Sequence, residues 1–98
     1  DEETFGPVAA ITSFECIEEM IALVNQSKFG LGVSVYSSDT KAVVDMSAQF
    51  EEGSVFVNSI VNSDPRLPFG GTKRSGYGRE LGSDGLLSFV NKKTIYVA

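Results

Sequence analysis

Histidine and tryptophan are both absent from the 98 residues, and cysteine occurs once, at Cys16. Without histidine the chain lacks the commonest general base near neutral pH and the commonest metal ligand. A single cysteine excludes an internal disulfide and makes a reducing compartment the default. Positive charge is also scarce, with 8 Lys and Arg against 13 Asp and Glu and a net charge of −5. Nucleic-acid binding needs a dense cationic surface to displace counterions, so no nucleic-acid partner is expected. No apolar run approaches the roughly 20 residues of a membrane span. The acidic start, Asp1-Glu2-Glu3, is unlike the basic leader of a secretory signal. These absences lead us to expect a cytoplasmic polypeptide with no membrane partner and no metal site.

What is present suffices for one domain with a modest core, given 42% hydrophobic residues. Val8-Ala9-Ala10-Ile11-Thr12 follows Gly-Pro and predicts a buried strand. Ser13 is placed to cap a helix whose apolar residues Phe14, Ile17, Ile21 and Val24 recur at helical spacing. Gly32–Tyr36 predicts a second strand, and Ser38 or Asp39 a cap for a second helix facing inward through Val43, Met46 and Phe50. Ser54–Asn58 predicts a third strand, with a short helix around Gly85–Val90 and a last strand at Lys93–Val97. The order strand, helix, strand, helix, strand favours an α/β class with a parallel βαβαβ unit. Three parallel strands need cover on both faces, and two modest helices supply too little. The chain therefore reads as a piece of a larger layered structure.

Residues 68–82 carry the strongest signal: Pro68-Phe69-Gly70-Gly71-Thr72-Lys73-Arg74-Ser75-Gly76-Tyr77-Gly78-Arg79-Glu80-Leu81-Gly82. Five glycines interleaved with two aromatics, three cations and a Glu do not make a flexible linker. They mark an ordered loop whose backbone turns sharply and passes close to something. It fits no phosphate cradle: Tyr77 stands where a P-loop requires Lys, and Leu81 where a dinucleotide fingerprint requires its third glycine.

The stretch resembles the PFGG-x-K-x-SG-x-GRE-x-G segment of the NAD(P)-dependent aldehyde dehydrogenases. Glu2-Glu3-Thr4-Phe5-Gly6-Pro7-Val8 is similar to that family's E-E-x-F-G-P-V motif. The resemblance covers the whole chain and implies the closing portion of such an enzyme. Residues 1–82 would then end the catalytic domain, including the PFGG loop. Residues 83–98 would supply a short helix and an oligomerisation strand that crosses to another subunit of a homo-oligomer. It also implies NAD or NADP as cofactor, with Glu3 accepting from ribose hydroxyls and Phe5 packing by the nicotinamide. A carboxylate suits two vicinal hydroxyls, and an aromatic ring confines a flat heterocycle. By the same resemblance Phe69 lines the aldehyde tunnel.

Asn62-Ser63-Asp64-Pro65-Arg66-Leu67 takes the place of the specificity loop and resembles the branch that oxidises succinate semialdehyde. Ser63 is the candidate donor to the substrate's far carboxylate. Arg66 is a second candidate, although a lone loop Arg also pairs with an acid such as Asp64. In the family the attacking thiolate and the general base lie upstream of E-E-x-F-G-P-V. Cys16 lies downstream, beside Glu15, Glu18 and Glu19, which disfavour a thiolate. It reads as a small hydrophobe in the first helix, and no catalytic residue is assigned to this chain. The implied partners are a small aldehyde and the remainder of the parent enzyme. A stand-alone, non-enzymatic βαβ interaction module is the alternative.

Overall fold

The structure, a computed structural model, describes residues 2–98. Asp1, which begins the acidic start, lies outside the described residues. The fold grows from the middle of the sequence. Helix α2 (Thr40–Met46) starts where Asp39 accepts from the Ala42 amide at 3.0 Å, the capping geometry its sequence anticipates. Its face points Val43 inward, with only 1% of the residue exposed, and a 3₁₀ turn over Ser47–Gln49 brings Phe50 into the same core. Strands β2 (Val33–Val35) and β3 (Val55–Val57) flank that helix in sequence and pair in parallel, Val33 with Val55 and Val35 with Val57. This is one βαβ unit.

The other strands form a separate antiparallel pair, β1 (Phe29–Gly30) with β4 (Thr72–Lys73). The expected βαβαβ unit of three parallel strands is thus replaced by two two-stranded sheets. Val8–Thr12 forms no strand, with Val8 70% and Ile11 94% exposed. A strand exists by its ladder, and no described backbone lies alongside this run to supply one. Lys93–Val97 is likewise no strand, and Ile95, Tyr96 and Val97 are exposed. A compact domain of this length has a radius of gyration of about 13 Å. The observed 17.1 Å reflects terminal segments that stand away from the core.

Helix α1 spans Ile17–Asn25, three residues later than a Ser13 cap would give. The physical reason lies at Glu19. Its carboxylate reaches back to accept from the Glu15 amide at 2.8 Å, securing a start at Cys16 much as a capping box does. Cys16 occupies the N-cap position in extended conformation and is exposed, so it is not a core hydrophobe within a helix. Phe14 and Ile17 are half exposed, and only Ile21 of the expected stripe is buried. Helix α3 (Gly82–Leu87) agrees with the expected short helix to within its ends.

Candidate functional site

The glycine-rich loop is built as a clasp. Phe69 and Glu80 exchange backbone hydrogen bonds at 2.8 Å each, closing residues 69–80 into a ring. Within it the Arg79 guanidinium donates to the carbonyls of Gly71 (3.0 Å) and Gly78 (2.7 Å). Lys73 reaches out of the loop to donate to the carbonyls of Asn25 (2.7 Å) and Ser27 (3.0 Å), and pairs with Glu51 at 2.7 Å. A cation beside terminal helix carbonyls is favourable, and α1 has no basic residue in its own last turn. Thr72 Oγ1 donates to Glu51 O at 2.7 Å, and Ser75 Oγ accepts from the Gly30 amide at 3.0 Å. Two of the three loop cations are therefore spent on carbonyls of this chain. That is an architectural use and not a phosphate site.

Three hollows run along this clasp. Glu3 lines the first, of about 580 Å³, with Phe29, Leu31, Glu52 and Ser75. Leu31 and Ser75 are shared with the second, about 470 Å³, whose wall is Phe69 and the glycine-rich loop. Phe69 is shared in turn with a third, about 440 Å³, alongside Phe56, Ser59, Asn62 and Asp64. Glu3 of the opening motif and residues of the loop at 62–67 thus line hollows that each share wall residues with the middle one, Leu31 and Ser75 on one side and Phe69 on the other.

Among the described residues no hydrogen bond or ion pair engages the Glu3 carboxylate, and Phe5 is 89% exposed. Both are available to a ligand, although Phe5 lines none of the three hollows. Ser63 is exposed and is flanked by two residues that line the third hollow. Arg66 is committed within its own loop: Nε donates to Asp64 Oδ1 at 2.9 Å and Nη2 to Oδ2 at 2.6 Å. Its backbone amide adds a bond to Oδ1 at 2.9 Å. This fork, and then the backbone amide, hold the Asp64 carboxyl below the usual carboxylate range, and the same pair raises Arg66.

Because the folded-state value of Asp64 is depressed, the pair stabilises the loop above the unfolded-state value and is lost as pH falls through the folded one. We expect carboxyl-carbon NMR to show Asp64 titrating below ordinary aspartates and Arg66→Ala to restore the ordinary value. Identical titration in both proteins would show that the fork is absent in solution.

Two further features escaped the sequence. Glu52 has a buried carboxylate oxygen with no hydrogen-bond partner among the described residues, facing the hollow that Glu3 lines. Asn58 adopts a positive φ of 54° just past β3, and its side-chain partner Ser37 lies 21 residues away, beyond the reach of a local signal. No group of three or more His, Cys, Asp or Glu among the described residues could hold a metal. No helix is long and apolar enough to cross a membrane.

Comparison with known proteins places this geometry. The pattern described as "Aldehyde dehydrogenase family" matches residues 1–95. The chain belongs to the aldehyde dehydrogenase family. It is 48% identical, over 99% of its length, to a probable NADP-dependent succinate-semialdehyde dehydrogenase of Synechocystis, of which it spans 21%. A succinate semialdehyde dehydrogenase of Escherichia coli is 45% identical over 97% of this chain and 21% of that protein. The chain thus spans about a fifth of these dehydrogenases.

Among solved structures, the succinic semialdehyde dehydrogenase of Streptococcus pyogenes in complex with NADP+ superposes with a TM-score of 0.77 at 48% identity. It is matched over 82% of this chain and 18% of that one. The betaine aldehyde dehydrogenase of Staphylococcus aureus in complex with NAD+ gives 0.85 at 39% identity, over 90% and 18%. Mixed α/β content with a parallel strand pair is therefore the aldehyde dehydrogenase arrangement of these residues.

Proposed function

We propose that these residues form the carboxyl-terminal part of an NAD(P)-dependent aldehyde dehydrogenase that oxidises succinate semialdehyde to the acid. The observation that carries this reading is the series of adjoining hollows lined by Glu3, Phe69 and residues of the loop at 62–67. It suits a cofactor beside Glu3 and an aldehyde beside Phe69. NAD or NADP, when bound, supplies the acceptor for the aldehyde hydride. Glu3 fits that group because its carboxylate is unengaged and can accept from two ribose hydroxyls. Phe5, exposed two residues on, is the ring that confines the nicotinamide, brought to it by the turn at Gly6-Pro7.

Phe69 lines the passage for the aldehyde and is held by its backbone pairing with Glu80. Ser63 donates to the substrate's far carboxylate. Arg66, already forked on Asp64, adds positive potential at the mouth. Neither the thiolate nor the general base is assigned to these residues. Residues 1–82 complete the catalytic domain, and 83–98 provide a helix and a strand that pairs with a neighbouring subunit of a homo-oligomer. The isolated chain is accordingly inactive, and the parent enzyme works in the cytoplasm.

Exposure supports a covered, multi-part assembly over a stand-alone module. Phe5, Ile11, Phe89, Ile95, Tyr96 and Val97 are each more than 80% exposed, an apolar surface that a free-standing domain would not keep. The test is Ser63→Ala in the intact enzyme. We expect the KM for succinate semialdehyde to rise about tenfold, as for one lost hydrogen bond to a charged group. Butyraldehyde, which has no carboxylate, should keep its KM. Equal effects on both aldehydes would remove Ser63 from substrate recognition.

A further inference from the structure

We infer that Asn58 is a positioning residue: its carboxamide fixes where the loop carrying Ser63 leaves the parallel strands. The inference rests on the aldehyde dehydrogenase reading of that loop. Asn58 follows the last paired residue of β3, and its amide donates to Val35 O at 2.9 Å, continuing the ladder one step past Val57. The strand then stops, because Asn58 turns to a φ of 54°, a region that Asn tolerates better than other non-glycine residues.

The side chain takes over where the backbone leaves. Oδ1 accepts from the Ser37 amide at 2.9 Å and Nδ2 donates to the Ser37 carbonyl at 2.9 Å. A carboxamide presents an acceptor and a donor in one plane, so it pairs with a residue's N–H and C=O as a neighbouring strand would. Ser37 is itself held. Its hydroxyl accepts from the Asp39 amide at 3.1 Å, and Asp39 caps α2. The base of the loop is thereby connected through Ser37 and Asp39 to the amino end of a packed helix.

The far end of the loop is held separately. Phe69 pairs with Glu80, and Pro65 O accepts from the Gly82 amide at 3.1 Å. Residues 59–68 therefore hang between two clamps. The first lies at the carboxyl ends of parallel strands, where α/β sheets place their ligands. Removing it leaves the loop held at that end by the Asn58 amide alone, five residues before Ser63.

The experiment uses the intact enzyme with Asn58→Gly, which keeps the positive φ accessible and deletes the carboxamide. Hydrogen–deuterium exchange of residues 59–68 should speed up by about tenfold, with β2, β3 and α2 unchanged. The KM for succinate semialdehyde should rise by about threefold to tenfold at constant kcat, with little change for butyraldehyde. Unchanged exchange in 59–68, or faster exchange spread evenly over the sheet and α2, would overturn the inference. So would kcat and KM moving together for both aldehydes. If the glycine variant does not fold, Asn58→Asp decides, since it keeps the acceptor for Ser37 N–H and loses only the donor. Should the wild-type enzyme oxidise no aldehyde, the functional reading fails, and loop exchange alone then decides the role of Asn58.

Discussion

Gly53→Ala should cost roughly 3 kcal/mol of folding stability. A Cβ at Gly53 would lie 1.7 Å from Gly70 O, 2.8 Å from Gly70 C and 3.3 Å from Gly71 Cα. All three atoms are backbone, so no side-chain rotation relieves the overlap. Gly53 is also tied in place, its amide donating to Gly30 O at 3.0 Å. Either that bond or the PFGG loop has to move, and moving the loop displaces Phe69. Gly76 is the matched control. Its φ of 127° strains an alanine, but no atom lies within 4 Å of its Cβ position. Gly76→Ala should therefore cost only the conformational strain, about 1 kcal/mol. Denaturant unfolding of both variants measures the difference. Equal losses would mean that the Gly53–Gly70 crossing is looser in solution than described.

Glu3→Ala should slow hydride transfer in the intact enzyme by about tenfold to a hundredfold. The basis is the loss of charge-assisted bonds of roughly 1.5–3 kcal/mol to a cofactor ribose. Phe5→Ala should do the same to a smaller degree by letting the nicotinamide wander, since a misplaced reacting atom loses rate more than affinity. Stability of these residues on their own should scarcely respond, because Phe5 is 89% exposed and no described group bonds to the Glu3 carboxylate. That separation between rate and stability is the signature of a binding role. Single-turnover NAD(P)H formation under saturating aldehyde gives the measurement. Variants that transfer hydride at the parent rate with parent cofactor affinity would remove both residues from the cofactor site.

Local signals were legible wherever the partner of a residue lies within a few positions. Asp39 and Ala42, three apart, made the α2 cap readable, and the spacing of Val43 and Phe50 marked the core face. The second and third strands were readable because β-branched residues there meet each other across one short crossover. Apolar composition alone misled at Val8–Thr12 and Lys93–Val97, where strand character depends on a neighbour that the described residues do not contain. The pairing of β1 with β4 was invisible for a related reason. Lys73 meets Phe29 across more than forty residues, and no local pattern announces such a register.

The candidate site divides in the same way. Glu3, Phe5, Ser63, Arg66 and Phe69 were named from motif resemblance, whereas Asn58 and Glu52 needed coordinates. The Asp64–Arg66 pairing was readable as well, because an acid two residues before an arginine is a visible partner.

Lys73 closes the carboxyl end of α1 from a distance of 48 residues along the chain, which gives the fold a direction in time. A ribosome adds about 5–20 residues per second, so Asn25 is made several seconds before the lysine that binds its carbonyl. Through that interval the Asn25 carbonyl lacks the lysine that binds it, while the βαβ unit between them can already assemble. The clasp then arrives and stitches α1 to a loop made later. A translation pause between Val57 and Lys73 would lengthen the time during which nascent chains expose that open end to one another.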